Sequence, residues 1–117
     1  MDKGGAGSSL LIEFFGDTPL FRIIDFLLEN RLRDFTKKEI AEGSGVGWTT
    51  LYNYWDRLEE KKMVKVTRQI GRIKLYQLNE ASPIVQEIKK MELALIRQSV
   101  GEEAAHRKPI KAVAYHA

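Results

Sequence analysis

The stretch Thr36-Lys37-Lys38-Glu39-Ile40-Ala41-Glu42-Gly43-Ser44-Gly45-Val46-Gly47-Trp48-Thr49-Thr50-Leu51-Tyr52 decides the fold. Its first four residues match a capping box, in which the threonine hydroxyl accepts an N–H near the helix start and the glutamate carboxylate reaches back. A short helix is therefore expected from Lys37 to about Glu42. Gly43-Ser44-Gly45 then breaks it, because glycine tolerates the positive φ that a sharp reversal needs. A longer helix follows from Trp48 to about Lys61, with Leu51, Tyr54, Trp55 and Leu58 at i, i+3, i+4 and i+7 on a core-facing stripe. The opposite face carries Thr49, Asn53, Asp56 and Glu60, flanked by Thr50 and Arg57 on one side and Tyr52 on the other.

Toward the amino terminus, Met1 to Ser9 is expected to be a flexible Gly/Ser-rich lead, and Leu10, Leu11, Ile12, Phe14 and Phe15 form an apolar cluster of one or two helical turns that Gly16 ends. Asp17, Thr18 and Pro19 give a second helix start, a capping side chain ahead of a proline whose missing N–H costs nothing in the first turn. Leu20, Ile23, Ile24, Phe26, Leu27 and Leu28 continue at helical spacing to about Glu29. Toward the carboxyl terminus the period changes after Met63. Val64, Val66 and Arg68 alternate with Lys65, Thr67 and Gln69, and Ile73, Leu75 and Gln77 with Lys74, Tyr76 and Leu78, about a reversal at Ile70-Gly71-Arg72. That pattern is a β-hairpin. Ser82-Pro83 opens a last helix to about Val100, and only Glu102 to Arg107 suggests a further short one before Pro109.

The 117 residues fit one domain with a single core. The net charge is only +3, so any case for nucleic acid rests on where the charges sit. The absence of cysteine excludes disulfides, thiolate zinc sites and cysteine nucleophiles, and fits a reducing cytosol. His106 and His116 lie in the tail without partners at ligand spacing, so no metal is expected. No apolar stretch approaches the roughly 20 residues of a membrane-spanning helix, so the expectation is a soluble, cytoplasmic protein with no membrane partner. Gly43, Gly45 and Gly47 match neither the dinucleotide nor the P-loop spacing. No nucleophile, base and orienting residue assemble, so neither catalysis nor a cofactor is expected.

With Leu58-Glu59-Glu60-Lys61-Lys62-Met63-Val64 and Ile70-Gly71-Arg72-Ile73-Lys74-Leu75-Tyr76-Gln77-Leu78-Asn79, the opening stretch resembles the winged helix-turn-helix family, in particular the small MarR-like and ArsR-like transcriptional regulators of bacteria and archaea. In that family a small residue near the end of the first motif helix lets the second pack close, a glycine makes the turn and an aliphatic residue plugs the core. Ala41, Gly45 and Leu51 stand at that spacing, whereas Gly47 departs from the serine or threonine cap that many members carry. The resemblance implies a mainly α fold with a small β-hairpin: a three-helix core, a two-stranded wing and a C-terminal helix. The chain then divides into a lead at 1–9, a winged helix domain at 10–80, a C-terminal helix at 81–100 and a weakly ordered tail at 101–117. It further implies a sequence-specific regulator on double-stranded DNA in the cytoplasm, associated with the nucleoid, with recognition helix 48–61 in the major groove and wing 64–78 on the backbone or minor groove.

The charges support this independently. From Lys61 to Lys74 the charged residues are Lys61, Lys62, Lys65, Arg68, Arg72 and Lys74, with no acid among them, while Asp56, Glu59 and Glu60 sit toward the far end of the reading helix. Such cations neutralise phosphates and release counterions. The expected DNA contacts are Lys37, Lys38, Trp48, Thr49, Thr50, Asn53, Arg57, Arg68, Arg72 and Lys74, with asparagine suited to adenine and arginine to guanine. Trp48 is open to two readings, a cover for the core, which is preferred, or an exposed aromatic against sugar and thymine methyl. The apolar stripe Ile84, Ile88, Met91 and Leu95 on the last helix, with Val85, Leu93 and Ile96 beside it, is expected to form a homodimer interface. The competing readings are a winged helix used as a protein-protein adaptor, since fold does not settle function, and a binder of RNA or single strands.

Overall fold

The computed structural model describes residues 9–107, with side chains through Glu102. Among the described residues five helices and a hairpin follow in the order α1 (Leu10–Phe15), α2 (Pro19–Glu29), α3 (Lys37–Ser44), α4 (Trp48–Glu60), β1 (Val64–Ile70), β2 (Ile73–Leu78) and α5 (Pro83–Arg107). This is the mainly helical, winged arrangement that the sequence implied. The expected lead before Ser9 and the residues after Arg107, His116 included, lie outside the described residues.

Local chemistry sets the helix ends. Ser9 and Thr18 each accept an N–H from the first turn of α1 and α2, and Pro19 takes the first position of α2. Thr36 and Glu39 close the capping box reciprocally, at 3.1 and 2.9 Å. The carboxyl end of α4 is a Schellman closure: the N–H of Met63 donates to the Leu58 carbonyl and that of Lys62 to the Glu59 carbonyl, both at 2.9 Å. Lys62 holds φ +57° there, a left-handed conformation that favours glycine.

Helix α3 runs beyond Glu42, where it was expected to end, because Gly43 is a helical residue and the left-handed turn falls on Gly45 at φ +74°. What Gly43 supplies is room. A Cβ there would stand 2.2 Å from Cε1 of Phe26 on α2. Helix α5 likewise passes Val100 and continues to Arg107. Gly101 lowers helix propensity by only about 1 kcal/mol, and the good helix formers that follow absorb it.

Trp55, Leu51 and Leu58 of α4 are fully buried among Ile23 and Leu27 of α2, Ile40 of α3, Leu11 of α1 and Val85 of α5, so α4 is seated by the whole core. The hairpin turns through Gly71 at φ +62°, with Ile70 opposite Ile73. Its root is tied further back, because the N–H of Phe35 donates to the Tyr76 carbonyl and that of Tyr76 to the Phe35 carbonyl, at 2.8 and 2.7 Å. One residue between α2 and α3 thereby forms an isolated antiparallel bridge to β2. The strict alternation read along β1 fails at one place. A bulge between Val66 and Arg68 leaves Thr67 outside the strand register. Among the described residues no helix is long and apolar enough to cross a membrane.

Candidate nucleic-acid interface

The core stripe of α4 fixes which residues face outward. With Leu51, Trp55 and Leu58 buried, Thr49, Asn53, Asp56 and Arg57 stand exposed, and Thr50 is half-buried. Gly47 offers no side-chain cap to the first turn of α4. Such a helix end carries partial positive charge suited to a phosphate. Arg57, near the other end, lays its guanidinium over the Tyr54 ring at 5.0 Å.

Trp48 is not the core cover that was preferred for it. It is 46% exposed and meets Tyr52, 49% exposed, edge to face with ring centroids 4.9 Å apart. One turn of helix separates the two, which puts both rings on one side.

Of the expected cations, Lys38, Arg72 and Lys74 are exposed, as are Lys61 and Lys62, and none of these five enters a salt bridge among the described residues. Lys37 and Arg68 are engaged by the protein. The Lys37 ammonium lies 5.3 Å from the Tyr52 ring centre and 5.7 Å from those of Trp55 and Tyr76, an aromatic cradle that joins α3, α4 and β2. Burial pushes the Tyr76 phenol up, with the Glu59 charge adding to the rise. Arg68 forks onto Asp34, Nε to Oδ2 at 2.9 Å and a terminal nitrogen to Oδ1 at 3.2 Å. The Thr67 hydroxyl donates to the same carboxylate at 2.6 Å. Arg68 and then Thr67 hold the Asp34 carboxyl below the usual carboxylate range. The bulge explains this geometry, since it lets neighbouring residues of β1 address one acceptor, which strict alternation forbids.

The α5 stripe divides. Ile88 and Leu95 are half-buried against their own core, whereas Ile84 and Met91 are exposed. Ile84, Ile88 and Met91 join Leu11, Phe15, Phe21, Pro83 and Glu87 around an open apolar cavity of about 330 Å³. Farther along, Leu93, Ile96 and Val100 form a second exposed row at i, i+3 and i+7. On α2, Asp25 is 5% exposed and one carboxylate oxygen has no hydrogen-bond partner among the described residues. Burial pushes its carboxyl up. Glu29 and Glu92 are raised as well, by burial first and then by the neighbouring acids, with Arg31 partly offsetting the rise at Glu92.

No protein-family model matches the chain, and no curated protein does. Among solved structures it is similar to MepR, a transcription regulator of the Staphylococcus aureus multidrug efflux pump MepA, with a TM-score of 0.58 at 16% identity over 97% of this chain and 89% of that one. A double mutant of Lactococcus lactis ZitR matches with a TM-score of 0.52 at 19% identity, over 81% of this chain and 73% of that one. The apo form of that mutant matches with 0.53 at 19%, over 91% and 89%. At such identities the likeness is one of fold. The chain has the fold of these proteins, with a helix-turn-helix at α3 and α4 and a wing at β1 and β2.

Proposed function

We propose that this chain is a transcription regulator that binds double-stranded DNA sequence-specifically as a homodimer, with α4 in the major groove and the hairpin on the backbone or minor groove. One observation carries the reading: an exposed polar helix face, Thr49 with Asn53, shares a fold with the exposed cations Arg72 and Lys74 of the wing. Side chains of the first kind read base edges, and cations of the second kind neutralise phosphates. That MepR is a transcription regulator supports the same reading. Lys38, Thr50 and Arg57 complete the contact surface, whereas Lys37 and Arg68 act first as internal ties.

The homodimer forms through α5, with Ile84 and Met91 from the expected stripe, Ile88 and Leu95 as their backing, and Leu93, Ile96 and Val100 in addition. Exposed apolar rows of this kind on one helix suit a second copy. Selection from a random duplex library with the full chain tests the function. An enriched palindrome with half-sites about one helical turn apart, or a multiple of it, is the expected result. Light scattering at about twice the chain mass, falling to the monomer for Met91→Glu with Ile96→Glu, tests the assembly. A library that returns nothing enriched would overturn the regulator reading in favour of a protein-protein adaptor.

A further inference from the structure

We propose that the Trp48–Tyr52 pair is a specificity device that reads the C5-methyl groups of thymine in the major groove, so that the bound site contains a thymine opposite the first turn of α4. The inference rests on the DNA-binding reading above and deepens it. Three observations carry it.

Two large rings are left about half exposed on a helix whose other outward residues are polar or charged. Aromatic surface left in water is unfavourable, so such a pair suits an apolar counterpart. The rings are also held in place. The edge-to-face contact at 79° fixes each against the other, and the Lys37 ammonium over Tyr52 fixes that ring from the α3 side. A rigid pair pays little ordering entropy on contact. Finally, the charge around them suits a polyanion: the uncapped start of α4 and exposed Lys38 are positive, and the first turn of α4 contains no acid.

On a polyanionic duplex, the thymine methyl is the apolar group that base edges present in the major groove. Thr49 and Asn53 lie on the same stretch of helix and supply the polar half of the reading.

The test uses the full chain and the duplex enriched from a random library, with each thymine replaced in turn by deoxyuridine, which removes only the methyl. At one or two positions per half-site the substitution should weaken binding about fourfold, the transfer value of one methyl group. In Trp48→Ala or Tyr52→Ala that sensitivity should disappear, circular dichroism being unchanged because both rings are exposed. Binding by the wild-type chain that ignores every deoxyuridine overturns the proposal and leaves DNA recognition standing, as does a sensitivity that survives undiminished in both variants. A library with no enriched duplex overturns both readings together.

Discussion

Arg68 in the wing and Asp34, between α2 and α3, are joined by a two-pronged hydrogen-bonded ion pair that also takes the hydroxyl of Thr67. It spends one of the wing's cations on the protein itself. Asp34→Asn should free that charge, tighten binding to any duplex and steepen the salt dependence by about one unit of log K against log salt, the value of one extra phosphate contact. Arg72→Ala and Lys74→Ala should each shift the slope the other way by about one, for all sequences alike. Titration of binding against salt measures both. Slopes identical in all four proteins would show that the wing does not touch DNA.

Asn53→Ala and Thr49→Ala should lower the preference for a selected site over random duplex while leaving non-specific binding nearly intact. A well-formed base contact contributes roughly 1 to 3 kcal/mol of discrimination, so each loss should cost about 5- to 150-fold in the specificity ratio. Both side chains are exposed, and the core stripe of α4 is untouched. Competition binding at fixed salt gives the ratio, and an unchanged one removes these residues from base reading.

Gly43→Ala should destabilise the fold by about 1 to 3 kcal/mol, the cost of overpacking, because its methyl would sit on the Phe26 ring. Phe26→Leu in the same chain should recover part of that loss. Urea denaturation of the single and double variants checks the coupling; additive effects would mean that the two residues do not meet.

Asp25→Asn should stabilise the protein at neutral pH, by on the order of 1 kcal/mol. The sign follows from burial, which raises the folded carboxyl above its unfolded value. Between those two values the folded state binds more protons than the unfolded one, so stability falls as pH rises through the window and stays lower above it. The substitution should flatten that decline from about pH 4 upward. Thermal denaturation across pH would show an unaltered profile if Asp25 were not buried as a charge.

The elements were legible because their signals are local. Thr36 with Glu39, Thr18 with Pro19 and Gly71 at the hairpin each act within a few residues, and the α4 stripe repeats with the helix period. What stayed hidden joins residues distant in sequence. Nothing beside Gly43 announces Phe26, nothing beside Arg68 announces Asp34, and Phe35 carries no strand signal of its own. The bulge at Thr67 also displaced the side chains of β1 from the faces that alternation assigns. Exposure at Trp48 could not be read off the helical stripe, since the first residue of α4 lies at its end, where the neighbouring turn decides what covers it.

The mutual hydrogen bonds of Phe35 and Tyr76 make the hairpin depend on the rest of the protein. A lone two-stranded hairpin is marginal in water. Here its root is completed by a residue that precedes α3 and α4, and closing that loop exacts an entropy cost before its bonds form. The order of the wing is thereby tied to that of the helical core, where Trp55 packs against Tyr76 with ring centroids 5.0 Å apart. Substitutions that loosen the helical core should therefore loosen the hairpin as well.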